Sequence, residues 1–386
     1  MSKLGDEMIP LFKVAMHHDV AKEVEKTLLS GYIGQGPKVD EFENRLMKKL
    51  GCENLITTNS ATSATHLALS MIARLPTSDE WPGIQEGDEV LTTPLTCTAT
   101  NWPILANNMK IKWVDVDPNT CNLDVQDLER KISEKTKVIL AVHWGGYPNK
   151  MDDIERIQNL CYEKYGFRPA LIEDCAHSFG STYKGKSVGT SGSYAFYSFQ
   201  AIKHLTSVDG GALILPNKEE YERAKLLRWY GIDRESNRKD FRCEDDIPEW
   251  GFKFHMNDVN AVIGMHNLAH VDAVVERHKS NARFYDENLK EVPGVSLLER
   301  NSDCDSSFWI YTLKVDDQDG FMKKMKDKNI MVSRVHERND KHSCVSEFKC
   351  DLPNLEDLTQ KMICIPVGWW VTDEERNYIV ESIKRA

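Results

Sequence analysis

The stretch Ser193–Gly211, SYAFYSFQAIKHLTSVDGG, decides how this chain is read. It opens as an aromatic, β-prone run (Tyr194, Phe196, Tyr197, Phe199) and ends in a glycine pair ahead of a second apolar run, Ala212–Leu215. That pattern predicts two buried strands joined by a turn, and the turn carries Lys203. Lysines are almost never fully buried unless paired. One desolvated beside apolar walls loses basicity and becomes a nucleophile able to form a Schiff base. A lysine on a surface hairpin, with its head in solvent, fits this segment alone equally well. The rest of the chain separates the two.

Upstream lie further short β-rich runs, NLITT (54–58), DEVLTT (88–93), KIKWVDV (110–116), KVILAVHW (137–144) and PALIEDC (169–175), and GALILP (211–216) follows the turn. Between them, Thr62–Leu75, Asp124–Glu134 and Met151–Tyr165 have helical spacing. The alternation predicts an α/β fold with a mainly parallel seven-stranded sheet, covered on both faces, and ligands at the carboxyl ends of its strands. No glycine-rich dinucleotide fingerprint follows the first strand, which argues against a Rossmann dehydrogenase. A helical pattern precedes the sheet at His18–Leu29, and a long one, Val271–Leu289, leads to strands expected at Phe308–Val315 and Met331–Val335 and a last helix near Thr372. At 386 residues the chain exceeds the size at which one core stops growing. We expect a large domain over 1–265, with an N-terminal helix, and a smaller C-terminal α/β domain over 266–386.

Asp plus Glu (60) outnumber Lys plus Arg (49), a formal net charge of −11, so nucleic acid and anionic membrane surfaces are not expected partners. Ten cysteines without a CxxC pair suggest reduced thiols and a cytoplasmic setting. Asp6 and Glu7 fall where a signal peptide needs an apolar core, and no apolar run reaches the ~18 residues of a membrane span. A soluble, unprocessed protein is the expectation.

Four other stretches carry candidate chemistry. In NSATSATHLAL (59–69), Ser60 has the character of an N-cap, and the small Ala61, Thr62 and Ser63 at a helix start make either an anion site or an ordinary capped helix. The turn GYIGQGP (31–37), with Tyr32 and Gln35, is dense enough in glycine for backbone to approach a ligand, though a plain loop fits as well. PALIEDCAHSFG (169–180) ends a strand on Glu173 and Asp174 and places Ala176 and His177 just after; a carboxylate there is costly unless paired, or it is a cap. VSRVHERNDKH (332–342) sets Arg334, His336, Arg338 and His342 on one loop, either a phosphate site or a solvated charge run.

The segment SFQAIKHLTSVDGGAL resembles the lysine signature of the DegT/DnrJ/EryC1/StrS family, pyridoxal phosphate enzymes of aspartate-aminotransferase (type I) fold that mostly aminate keto sugars. The family pattern has serine, then phenylalanine, then the Schiff-base lysine five positions after the serine; Ser198, Phe199 and Lys203 match it. The resemblance runs from Gly31 nearly to the end. It implies pyridoxal 5′-phosphate as cofactor, with Lys203 catalytic, Ser198 and the Ala61–Ser63 cup on the phosphate, Asp174 on the ring nitrogen, Ala176 against the ring and His177 on its phenolic oxygen. Ala61 stands where glycine is usual, and Cys97 where the family often stacks an aromatic ring, so either the Cys97 thiol packs on the cofactor ring or Trp102 reaches in. His143 lies in a family turn near the substrate, and Tyr32 and Gln35 in its sugar-site loop. Lys253-Phe254-His255 replaces a triplet that crosses a dimer interface to the phosphate, so Lys253 or His255 is the cationic contact expected in a homodimer with shared active sites. The implied reaction moves nitrogen from an amino acid, foremost L-glutamate, to a nucleotide-linked keto sugar, foremost a 4-keto-6-deoxyhexose of perosamine or viosamine type, in a lipopolysaccharide O-antigen setting. A 3-keto sugar, a cyclitol ketone or an oxidised octulosonic acid stays open as acceptor. Histidine at the lysine position marks the family's 3-dehydratases, and Lys203 speaks against that activity; the intact Lys203, Asp174 and Ser198 set speaks against a non-catalytic sugar-nucleotide-binding regulator.

Overall fold

The structure, a computed structural model, describes residues 7–236, 240, 243–244 and 246–385. Asp6 and parts of the charged loop Arg234–Glu249 lie outside the described residues. Helices α1 (Val20–Leu29) and α2 (Pro37–Leu50) lead into β1 (Leu55–Thr58), α3 (Ala61–Ala73), β2 (Glu89–Thr92), α4 (Thr98–Ala106), β3 (Lys110–Trp113), α5 (Val125–Lys131), β4 (Thr136–Val142), α6 (Met151–Tyr165) and β5 (Ala170–Asp174). A ribbon of β6 (Thr182–Tyr183) and β7 (Lys186–Ser187) precedes β8 (Tyr194–Ser198), β9 (Gly211–Ile214), α7 (Lys218–Leu227), α8 (Asp258–Leu268) and α9 (Val271–Leu289). The chain ends with β10 (Val295–Leu297), β11 (Cys304–Asp305), β12 (Tyr311–Val315), α10 (Gln318–Asp327), α11 (Pro353–Lys361), β13 (Met362–Ile365) and α12 (Asp373–Lys384).

The seven expected strands form one sheet in the order β1-β9-β8-β5-β4-β2-β3. β2 to β5 and β8 run parallel, whereas β9 lies antiparallel between β8 and β1. Their continuous apolar character follows from burial on both faces: every residue of β4 is buried. The core fills both sides of the sheet, with Phe42 and Leu46 of α2 among the buried side chains on one side and Leu67 and Ile72 of α3 on the other. The helix α2 has no counterpart among the helices expected from sequence, although Gly36 as N-cap and Pro37 at its first turn are ordinary start signals.

The C-terminal part holds a second sheet, β10-β12-β13, backed by its own apolar cluster. Here the sequence expectation needs correction. The strand expected at Met331–Val335 reduces to a single bridge, Ser333–Cys364, and the one expected from Phe308 starts at Tyr311. Val335 (φ 70°) and Phe308 (φ 50°) both occupy left-handed backbone, which breaks strand geometry and is unfavourable for side chains of this size. Both irregular stretches border the cavity described next. Among the described residues no helix is long and apolar enough to cross a membrane.

Candidate active site

At the carboxyl ends of β5 and β8 lies a cavity of about 330 Å³. Lys203 enters it from the turn between β8 and β9, where the sequence put it. Its Nζ sits 3.5 Å from the centre of the Trp309 ring. Burial pulls the amine down to about 7, and the nearby Asp174 opposes that shift without cancelling it. Near neutral pH a large fraction of this lysine therefore carries a free lone pair, the state a nucleophile or base requires.

Opposite stands Asp174, the last residue of β5. Its Oδ1 accepts the Ala176 N–H at 2.9 Å and its Oδ2 accepts the Thr100 hydroxyl at 2.7 Å. Burial raises its pKa, while Thr100, Ala176 and Lys203 favour the charged form. His177 stacks on Trp309 with centroids 3.9 Å apart, and its Nδ1 is buried with no partner among the described residues. Burial, then the charge of Lys203, holds its pKa well below the ordinary imidazole value, so the ring is neutral. His336 completes this wall, its Nε2 likewise unpartnered, and burial lowers its pKa to about 4.

The other end of the cavity is the N-terminus of α3. Ser60 caps the helix by accepting the Ser63 N–H at 3.1 Å, which uses that amide, while Ala61 and Thr62 line the cavity together with Ser198. Strand β9 packs so closely here that a Cβ on Gly211 would meet the Ala61 nitrogen at 2.6 Å. The donor set fits pyridoxal phosphate. Helix amides and a serine hydroxyl suit a phosphate, a carboxylate suits a protonated ring nitrogen, an unpartnered neutral imidazole suits a phenolic oxygen, and a lysine of lowered basicity suits an aldehyde.

Of the residues expected from sequence, Ala61, Thr62, Cys97, Asp174, Ala176, His177, Ser198, Lys203 and His336 share this cavity wall. The others lie elsewhere. His143 is wholly buried behind β5, its Nε2 3.2 Å from Glu173 and its Nδ1 accepting the Asn149 N–H at 3.0 Å, so neither nitrogen is available to a substrate. Glu173 points to the same side and also accepts from Gly189, Ser191 and Ser193. Arg338 is not a phosphate ligand. Its guanidinium is buried against Asp340, with bonds of 2.8 and 2.6 Å, and reaches Glu356. Arg334 pairs with Glu337 at 3.2 Å on the surface. Tyr32 is 84% exposed, Gln35 belongs to a separate cavity beside α2 and α7, and Lys253 and His255 lie on a segment bridged to Thr58 and Trp229. His255 packs on Trp229 with centroids 3.5 Å apart. Trp102 turns toward His342 and away from the cavity.

Among the wall residues that escape the sequence reading, which include Gln200 and Asp209, Trp309 and Thr100 touch the proposed chemistry most directly. Trp309 donates its indole N–H to the carbonyl of Ile202 at 2.9 Å and is covered by Phe12, which fixes the residue preceding Lys203. Thr100 sits one helical turn beyond Cys97. Because Arg338 is paired and buried, replacing it by leucine leaves Asp340 without its partner in a low-dielectric setting. We expect a loss of about 3 kcal/mol in urea unfolding; a change within ~0.5 kcal/mol would return Arg338 to the residues free to meet a ligand.

A model of the DegT/DnrJ/EryC1/StrS aminotransferase family matches residues 15–384. The structure is similar to that of AtS13 from Actinomadura melliaura (47% identity, TM-score 0.94, 99% of this chain and 100% of that one). It is similar also to the sugar aminotransferase CalS13 from Micromonospora echinospora (44% identity, TM-score 0.93, 98% of this chain and 100% of that one). The spore coat polysaccharide biosynthesis protein SpsC of Bacillus subtilis is 28% identical over 94% of this chain and 93% of its own. With the match covering nearly its whole length, the chain belongs to the DegT/DnrJ/EryC1/StrS aminotransferase family and is a pyridoxal phosphate-dependent transaminase.

Proposed function

We propose that this aminotransferase carries an amino group from an amino acid, foremost L-glutamate, to the keto group of a nucleotide-linked sugar, foremost a 4-keto-6-deoxyhexose. The observation that carries the reading is the buried Lys203 amine, lowered to about 7 and facing Asp174 across one cavity. The resemblance to CalS13, a sugar aminotransferase, and to SpsC supports the substrate class.

Each role is assigned to a residue of this chain. The Ala61 and Thr62 amides at the start of α3 and the Ser198 hydroxyl bind the cofactor phosphate, with the Ser63 amide taken by the Ser60 cap, and Asp174 keeps a proton on the ring nitrogen. His177 Nδ1, neutral, hydrogen-bonds the phenolic oxygen. When bound, pyridoxal phosphate supplies an electron sink that stabilises negative charge at the carbon losing its proton. Lys203 Nζ takes that proton and returns it on the other side of the exchange, general acid and base in one side chain. His336, a neutral imidazole, reads an uncharged hydroxyl of the acceptor better than a diphosphate. At about 330 Å³ the cavity is near the lower limit for a ligand site, so the nucleotide half of the substrate extends past the rim, toward Arg334.

The proposal includes a homodimer with shared sites, in which Lys253 or His255 meets the partner's cofactor. Leu29, 80% exposed, and Tyr32, 84% exposed, give it an apolar contact surface. It includes also the division into two domains near residue 265 and residence in the cytoplasm. The test is a panel of keto sugar nucleotides incubated with holoenzyme and glutamate, products read by mass. No amination of any sugar nucleotide, with turnover of a free cyclitol ketone, would replace this substrate class.

Capture of pyridoxal phosphate by the apoprotein should follow the free-base fraction of Lys203. Below pH 7 the rate should rise about tenfold per unit, and above it level off, because the lowered amine is by then deprotonated. A rate still climbing about tenfold per unit to about pH 9 would show an ordinary, solvated lysine.

A further inference from the structure

The carboxylate of Asp174 ends a chain of hydroxyl groups. It can only accept, so the Thr100 hydroxyl spends its proton on Oδ2 at 2.7 Å. In the 2.9 Å contact between the Thr96 and Thr100 hydroxyls, Thr96 is therefore the donor. The two O–H groups point the same way, each polarising the next, and both threonines are buried. The turn bearing them is fastened by Asn339, which arrives from the far C-terminal part and is 1% exposed. Asn339 donates its backbone N–H to Pro94 and its side-chain amide to Thr96, both at 2.8 Å, and accepts from Asn101 at 2.8 Å. Next to it stands the Arg338–Asp340 pair, which holds the loop that carries it.

We infer that Thr100 is a positioning residue for Asp174, keeping its carboxylate ionised and aimed at the cofactor ring nitrogen, with Thr96 orienting the Thr100 hydroxyl and Asn339 clamping both. This rests on the reading of Asp174 as the ring-nitrogen partner. Two facts require such support. Asp174 is buried, which favours its protonated form, and a neutral acid cannot pair with a protonated ring. Other charged or titratable groups bearing on it are Lys203 and His143, and the same variants leave these in place.

The experiment is a titration of apoprotein with pyridoxal phosphate between about pH 5 and 8, alongside kcat over the same range. Thr100→Val keeps the shape and removes the donor, the loss of a hydrogen bond to a charged group. It should move the acid limb of both profiles up by about 1–2 pH units, and weaken cofactor binding and kcat by about 10–100-fold at about pH 6, less at about pH 8. Thr100→Ser, which restores the hydroxyl, should return both limbs to within ~0.3 unit of wild type. Thr96→Val, which leaves Thr100 in place, should shift them in the same direction by about half a unit, so the inference stays testable if Thr100→Val does not fold. A Thr100→Val protein with a wild-type acid limb, or a Thr100→Ser protein as damaged as Thr100→Val, would overturn the inference. An Asp174→Asn protein with wild-type turnover would instead overturn the reading beneath it.

Discussion

Replacing Lys203 with histidine will cost at least ~10³-fold in steady-state amination, ~4 kcal/mol of barrier. Lys203 is the only lysine or arginine in the cavity wall described within one chain, so no amine of the same chain stands ready to take over. An imidazole placed there can still accept a proton, but it cannot bond the cofactor aldehyde or displace the product amine from it. The variant should hold cofactor without a covalent link. Borohydride treatment of the wild-type holoprotein, followed by peptide mapping, should put the reduced adduct on Lys203, and the same treatment of Lys203→His should release the cofactor on denaturation. Dehydratase activity is not expected to appear, since the sugar must also present its hydroxyl correctly to the new base. An adduct mapped to another lysine, with near-normal amination by Lys203→His, would remove the centre of the proposed site.

Asp174→Asn should retain cofactor and lose most turnover, about 10²-fold or more in kcat. The amide keeps the shape and accepts the Ala176 N–H, but it carries no charge to hold a proton on the ring nitrogen. It also presents an N–H₂ group either to the Thr100 hydroxyl or to the ring, a mismatch that aspartate avoids. Because burial already disfavours ionised Asp174, the site depends on its few donors. A variant within about threefold of wild-type kcat, only ~0.65 kcal/mol of barrier, would make Asp174 a turn-capping residue and nothing more.

The parts of the site legible in sequence are those that follow a strand directly. Asp174 ends β5 and His177 trails it, Lys203 trails β8, and the Ser60–Thr62 cap trails β1. Local patterning places all of them at one end of a parallel sheet before any contact is known. Trp309 comes from chain more than a hundred residues later, on a stretch bent at Phe308 that strand periodicity hides; His336 is legible as a loop residue, but the bend at Val335 that aims it is not. Thr100 reads like any small residue on a helix, its value arising only from a carboxylate 74 positions away. His143 misleads for the opposite reason: its turn is near the cavity, but its ring faces Glu173 behind the sheet. For Arg338 the signal is present in the sequence, an acid two residues on that takes both arms of the guanidinium.

The position of β9 delays completion of the sheet while the protein is being made. In the sheet β1 has one ladder partner, β9, with Leu55 opposite Ile214 and Thr58 opposite Gly211, and its remaining bridge, Thr58 to His255, is later still. A ribosome adding ~5–20 residues per second needs roughly 8–30 s to deliver that partner. For that interval the apolar LITT strand emerges with nothing to pair with, while β2, β4 and β5 already have one another. Contacts this distant in sequence are slow to close, and an unpaired strand edge invites association with other chains. The start of α3, the proposed phosphate site, follows β1 through Ser60, so it is completed among the last parts of the sheet. Nascent chains should therefore depend on chaperones early, and should acquire the capacity to bind cofactor only after β9 has left the exit tunnel.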